Sequence, residues 1–297
     1  MSIRVLLSAA FLLALPLSAA DSVQDWTAAI ADQYRVNANV VYSTANGYDN
    51  KVDLYLPRNA DGPVPTVIYI HGGGWVGGTK ESSVLRLLPY LNHGMAALNV
   101  EYRLARNSLA PGAVADCRCL LRWVYANAKQ YNLDTTKLVV TGNSAGGHLA
   151  LMTGITDPSS GLDYDCSAGR PETKIGVAAI VNWYGITDVA DLLSGANMKS
   201  YAVRWLGSLA DRGRVAMRVS PLTYVRNGLP PILTIHGDAD PTVPYQHAIR
   251  LKKALDANGS PNQLHTVKGG KHGGFTAEQS RVIYAKIEEF LKGYGIL

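Results

Sequence analysis

The chain has 297 residues, and 28 Lys and Arg against 23 Asp and Glu give it a formal net charge of +5. The basic residues are dispersed rather than clustered, which argues against a nucleic-acid-binding surface. No Pro-, Ser- or Gly-rich linker, internal repeat or low-complexity tract divides the chain.

The first segment reads as an export signal. Arg4 supplies a positive start, residues 5–17 are almost wholly apolar, and Ser18-Ala19-Ala20 offers small residues before Asp21. That apolar run is too short for a comfortable membrane span, and no second run of the required length follows. Residues 1–20 are therefore expected to be a signal peptide. The protein is expected to be secreted or periplasmic, with no integral membrane segment after processing. Residues 21–297, about 277 residues, are near the upper range for one hydrophobic core and are expected to form a single catalytic domain. A monomer or weak homo-oligomer is expected.

Beyond the leader, two kinds of periodicity alternate. Residues 36–43 and 51–56 read as strands joined through Asn46-Gly47, a hairpin signal. Residues 66–70 and 95–102 read as buried strands, with a helix over 82–91 between them. Residues 111–131 place apolar side chains at 114, 117, 121, 124, 128 and 131, a helical face with Pro111 suited to the first turn. Further strands are expected over 138–141, 177–182, 232–236 and 264–267, and further helices over 145–152, 247–257 and 279–292. Apolar strands separated by helices imply an α/β protein with a mainly parallel sheet covered on both faces. In such a sheet, ligands bind beyond the carboxyl ends of the strands.

Three segments at such ends contain reactive chemistry. The first is Gly142-Asn143-Ser144-Ala145-Gly146-Gly147-His148, in the strand, sharp turn and helix context of a G-x-S-x-G nucleophile elbow. His71-Gly72-Gly73-Gly74-Trp75 follows the strand at 66–70 and suits an oxyanion loop, with N–H donors from Gly73 or Gly74 and from Ala145. His71 is expected to organise that loop through a backbone hydrogen bond rather than act as a base. His236-Gly237-Asp238-Ala239-Asp240 provides two carboxylates, and spacing alone does not choose between Asp238 and Asp240 as the partner of a histidine. His272, inside Gly269-Gly270-Lys271-His272-Gly273-Gly274, is the one histidine that comes after both an elbow and an acid loop. It is expected to accept the Ser144 proton. Among the other histidines, His93, His247 and His265 are expected on the surface or on an element face, and His148 is expected to brace the elbow helix or its neighbouring loop.

The three cysteines leave two readings open. Cys117 and Cys119 point to different sides of a helix, so either one pairs with Cys166 or all three stay as thiols. With no matching histidine cluster and no phosphate-binding glycine loop, neither a metal site nor a cofactor is expected.

These segments, with the run Asn99 to Ala105 and Ser220-Pro221, resemble the α/β-hydrolase superfamily. Within it they are similar to the small esterases with an HGGG loop, including the hormone-sensitive-lipase-like group and, closer, bacterial acetyl and feruloyl esterases acting on plant cell walls. The resemblance covers nearly all of the chain beyond residue 36. It implies the α/β-hydrolase fold with a small or minimal cap, and a catalytic set of Ser144, Asp240 and His272. It also implies that Arg103 supports the scaffold of the oxyanion loop. Asn143 departs from the aspartate usual in the hormone-sensitive-lipase-like group, and the short stretch before the first strand leaves little for a helical cap. The implied activity is that of a serine carboxylesterase acting on a small-molecule or polysaccharide ester. Acetyl groups on plant cell-wall carbohydrate come first, feruloyl esters second, and small alkyl esters or aryl formamides after them. A catalytically inactive binding protein is the alternative from a different class. Trp75 and Trp183 are expected to line the acyl pocket.

Overall fold

Asn46 and Gly47 both adopt positive φ, 52° and 74°, the backbone that a tight two-residue hairpin turn requires. They fold β1 (Tyr34–Ala45) back on β2 (Tyr48–Pro57) in antiparallel register, with Ala45 opposite Tyr48. The molecule is seen here as a computed structural model that describes residues 25, 27, 28, 30–162, 166 and 175–297. The leader expected over residues 1–20 lies outside the described residues.

Beyond the hairpin come β3 (Val64–Ile70), β4 (Ala96–Val100), β5 (Leu133–Asn143), β6 (Ala179–Trp183), β7 (Ile232–Gly237) and β8 (Asn262–Val267). The eight strands form one sheet in the order β1-β2-β4-β3-β5-β6-β7-β8. The pairings of β1 with β2 and of β2 with β4 are antiparallel, and every pairing from β4 to β8 is parallel. The expected mainly parallel α/β architecture is what the chain forms. β4, β6 and β7 are buried along their whole length, as strands covered on both faces must be. Alternate side chains serve opposite faces, the period-two consequence of a pleated strand. Ile68 and Ile70 join the larger core with the helices Gly112–Tyr131, Ala145–Ile155 and Gln246–Ala257, while Val67 and Tyr69 join the smaller core under Ala277–Gly293.

Local chemistry accounts for the element ends. Asn132 closes the long helix in a left-handed conformation, φ 58°, which asparagine tolerates better than most residues. Thr276 and Gln279 form a reciprocal capping box, so the last helix starts at Ala277, two residues before its expected start. The helix expected over 82–91 is instead a 3-10 turn, Lys80–Arg86, followed by the short α-helix Leu88–Leu91. Pro89 explains the break, because proline removes a backbone donor and suits only a helix's first turn.

The interval between β6 and β7 holds the short helices Ser200–Leu206 and Arg212–Arg218. Seven residues make fewer than two turns, too short for a readable apolar period.

Cys119 and Cys166 form a disulfide, which resolves the open cysteine reading, and Cys117 is buried as a free thiol. The bridge ties the long helix to a position 47 residues away in sequence. Chain-entropy arguments assign closure of such a loop roughly 4 kcal/mol. Reduction should therefore lower the unfolding free energy by about 2–4 kcal/mol, read as a shift in the urea midpoint. A Cys119→Ser variant should show the same loss and no further response to reductant.

Candidate active site

A close backbone approach between β3 and the turn after β5 shapes the site. A Cβ on Gly142 would lie 2.5 Å from the Ile70 carbonyl oxygen, and one on Gly146 would collide with the same atom. Both flanking positions of G-x-S-x-G must therefore lack a side chain. Ser144 between them has φ 57° and ψ −122°, a conformation that L-residues rarely adopt and that costs on the order of 1–3 kcal/mol. The turn is held by Ser144 N–H donating to Trp183 O at 2.9 Å and His148 N–H donating to Ser144 O at 3.0 Å.

Ser144 Oγ is 2.8 Å from His272 Nε2, and His272 Nδ1 is 2.7 Å from Asp240 Oδ2. A carboxylate only accepts, so Nδ1 holds the ring proton and Nε2 is free to accept from the serine hydroxyl. The structure thus brings Ser144, His272 and Asp240 together in series. Asp238 stands apart, its carboxylate accepting the Gly269 N–H at 2.6 Å and bracing the histidine loop. Asp240 Oδ1 accepts the N–H groups of Thr242 and Val243. Burial pushes the Asp240 carboxyl up, but hydrogen bonds from His236 and His272 outweigh it and hold the group well below the usual carboxylate range.

His236 is a contributor that motif reading passed over. Its Nε2–H donates to Val243 O at 3.0 Å and lies 3.3 Å from Asp240 Oδ2. The available signal was its spacing, four residues before the acid at the end of the same strand.

The oxyanion loop turns as expected. Gly73 and Gly74 have φ 120° and 60°, and among the described residues their N–H groups and that of Ala145 donate to no protein acceptor. Such donors suit an oxyanion formed at Ser144. His71 stacks on Tyr102 with ring centroids 4.4 Å apart, and its Nδ1 lies 2.7 Å from Gly72 O. Arg103 forms a buried two-pronged ion pair with Asp116, a scaffold contact as the resemblance implied.

The tryptophans require a correction. Trp75 is fully buried, stacked on Trp205 at 4.2 Å, with its Nε1–H donating to His148 Nδ1 at 3.1 Å. Trp183 is also buried, packed in the smaller core beside Tyr284. A residue at the carboxyl end of a strand still alternates between faces, and these two rings are directed into the cores. Neither presents a surface to an acyl group. The side chain that does meet the oxyanion loop is Tyr201, whose Cβ would lie 2.8 Å from a Cβ on Gly74 and whose hydroxyl donates to Thr242 O at 3.1 Å. No sequence signal distinguished it, because the contact is made by the unrecognised helix Ser200–Leu206. His247 is likewise buried rather than on a surface, accepting the Thr187 N–H through Nδ1 at 3.1 Å.

His148 bridges two layers under the loop, accepting from Trp75 and donating through Nε2–H to Val219 O at 2.6 Å. Burial pushes its pKa down from 6.5 to about 4. The unfolded chain therefore takes up this proton first as pH falls. The stabilisation is full above pH 6.5 and is lost progressively towards pH 4. The wild type should lose about 3 kcal/mol over that window from this group. Urea unfolding at pH 7 and pH 4.5 should show a shallower loss for His148→Gln, which keeps one donor and one acceptor. A Gly74→Ala substitution should strain a positive φ and press on Tyr201. The resulting displacement of the loop's N–H donors should lower kcat by roughly 10²–10³, measured on an activated ester.

The BD-FAE family profile matches residues 52–255. Esterase LipQ of Mycobacterium tuberculosis is 25% identical over 82% of this chain and 59% of its own length. Esterase LipC of the same organism is 31% identical over 66% of this chain and 49% of its own. The chain thus spans about half to three-fifths of these relatives. Among solved structures, a carbohydrate esterase from gut microbiota, in truncated form, superposes with a TM-score of 0.75 at 27% identity, covering 89% of this chain and 98% of that one. Thermogutta terrifontis esterase 2, phosphorylated by paraoxon, superposes with a TM-score of 0.71 at 26% identity, covering 89% and 95%. With the profile spanning more than half of its residues, and with the fold and nucleophile turn described above, the chain belongs to the BD-FAE family of α/β-hydrolases.

Proposed function

We propose that this protein is a serine carboxylic-ester hydrolase. The observation that supports this most is the unbroken series of 2.8 Å from Ser144 Oγ to His272 Nε2 and 2.7 Å from His272 Nδ1 to Asp240 Oδ2. In this reading His272 takes the Ser144 proton as Oγ attacks the ester carbonyl. Asp240 holds the imidazole in the correct tautomer and stabilises the imidazolium that forms. The N–H groups of Gly73 or Gly74 and of Ala145 receive the developing oxyanion, each contributing about 3 kcal/mol. His272 then gives the proton to the departing alkoxide oxygen, leaving an acyl ester on Ser144. Water enters, loses a proton to His272 and attacks the acyl carbon. The same proton returns to Ser144 Oγ as the carboxylic acid leaves.

The proposed substrate class is an acetylated plant cell-wall carbohydrate. The burial of Trp75 and Trp183 supports a small acyl group, because it removes the rings that a hydroxycinnamoyl group would stack on. Similarity to a carbohydrate esterase, and to a bifunctional GH43-CE protein of Bacteroides eggerthii at a TM-score of 0.76 and 27% identity over 87% of this chain, supports a sugar alcohol. The catalytic unit is proposed to be one domain over residues 21–297, exported by the leader. The disulfide supports export, since such bridges persist in oxidising compartments.

On 4-nitrophenyl acetate, Ser144→Ala should lower kcat by at least about 10³-fold and Asp240→Asn by roughly 10⁴-fold. Paraoxon should inactivate the wild type and leave its phosphoryl adduct on the peptide containing Ser144, read by mass spectrometry. An adduct elsewhere, or full activity in Ser144→Ala, overturns the assignment. The ratio of kcat/KM for acetylated xylan to that for methyl ferulate tests the acyl group. A preference for ferulate would replace acetyl by hydroxycinnamoyl.

A further inference from the structure

The Tyr201 side chain reaches from one loop of the site to another. At one end, a Cβ on Gly74 would lie 2.8, 2.9 and 3.2 Å from Tyr201 Cβ, Cγ and Cδ2, so the tyrosine fills the space a side chain would take there. At the other end its hydroxyl donates to Thr242 O at 3.1 Å, in the loop that contains Asp240. The phenol therefore spans from a proposed oxyanion donor to the loop of the proposed acid, and it is only half-buried. It is also held in place. Trp75 lies against it with ring centroids 5.9 Å apart, and Trp75 is itself stacked on Trp205 at 4.2 Å. Lys199 Nζ donates to Pro241 O at 3.0 Å, a second tie between the start of the helix Ser200–Leu206 and the acid loop. A ring backed by a close-packed core yields only by disturbing that packing, so it excludes added volume rather than accommodating it.

Two tyrosines border the site from opposite faces of the sheet. Tyr184, in the smaller core, meets the His272 ring edge-on with centroids 4.7 Å apart. Tyr201 packs against the larger core. In the proposed reaction His272 returns its proton to the departing alkoxide oxygen, so the alcohol lies on the side of His272 and Tyr184. The oxyanion points at the N–H groups of Gly73 or Gly74 and of Ala145. The acyl group takes the side that is left, next to Gly74, and there it meets Tyr201.

We infer that Tyr201 is a specificity-determining residue that closes the acyl side of the site and restricts it to short acyl chains. This rests on the ester-hydrolase reading and deepens it, because it names the group that admits an acetyl and turns longer chains away. The test is the ratio of kcat/KM for 4-nitrophenyl hexanoate to that for 4-nitrophenyl acetate, which does not depend on how much of a preparation is folded. Phenyl acetate against 1-naphthyl acetate varies the alcohol instead.

The wild type should favour acetate over hexanoate by at least about tenfold, the scale on which a pocket discriminates between chains that differ by methylene groups. Tyr201→Ala should raise the hexanoate-to-acetate ratio by about tenfold or more. Tyr201→Leu, which keeps more of the packing against Trp75, should move it in the same direction. Tyr201→Phe keeps the ring and loses only the bond to Thr242 O, so its ratio should stay at the wild-type value. The naphthyl-to-phenyl ratio should be the same in the wild type and in Tyr201→Leu. A wild type that favours hexanoate, an acyl ratio unchanged in both truncations, an equal shift in Tyr201→Phe, or a shift in the alcohol ratio in place of the acyl ratio would overturn the inference alone. Failure of the wild type to cleave any of these esters would overturn the ester-hydrolase reading and this inference with it.

Discussion

Where the end of β3 passes the turn after β5, the two backbones approach so closely that the Ile70 carbonyl occupies the space of any side chain at Gly142 or Gly146. Much of the site follows from that contact. It forces Ser144 into a positive-φ conformation and sets the Ala145 N–H beside the loop that contains Gly73 and Gly74. It also brings two strands that are neighbours in the sheet into register, with Ile70 opposite Gly142. The sheet supplies the force that maintains the strain. β3, β4, β6 and β7 lie in the interior, and each strand can relax only by breaking ladder bonds and exposing apolar area.

Polar groups then secure what the sheet positions. Lys80 and Asp53 pin the segment after the oxyanion loop to β2, and Asn99 of β4 donates to the Lys80 carbonyl at 2.6 Å. Arg103 and Asp116 pin the chain after β4 to the long helix. Buried pairs of this kind add little net stability compared with apolar packing, but breaking one leaves an uncompensated charge and is costly. They specify the arrangement of the loops.

The interval between β6 and β7 contributes more than a cover. From its first helix, Tyr201 touches the oxyanion loop and bonds the acid loop, while Trp205 stacks on Trp75 and lies 5.5 Å from the His148 ring. One helical turn therefore links the loops after β3 and β7 with the helix after Ser144. Changes in this segment can reach the chemistry without touching a substrate.

The strand order, the longer helices, the hairpin turn and the three reactive segments at strand ends were legible in the sequence. Each depends on local properties: period-two or helical periodicity, the backbone freedom of Asn46-Gly47, and the glycines that a sharp turn needs. The choice between Asp238 and Asp240 was not local. Both sit in one loop, and only the approach of the β8 loop decides which carboxylate meets His272 and which meets Gly269. The two tryptophans show the same limit, because position at a strand end does not tell which face a ring takes or what packs over it. Pairing of Cys119 rather than Cys117 was settled by which face of the helix Cys166 approaches. The sequence by itself determined which elements form and which reactive groups lie at their ends, because those follow from neighbours along the chain. The tertiary structure alone decided which groups meet, because contacts between residues far apart in sequence depend on the packing of strands and loops around one sheet.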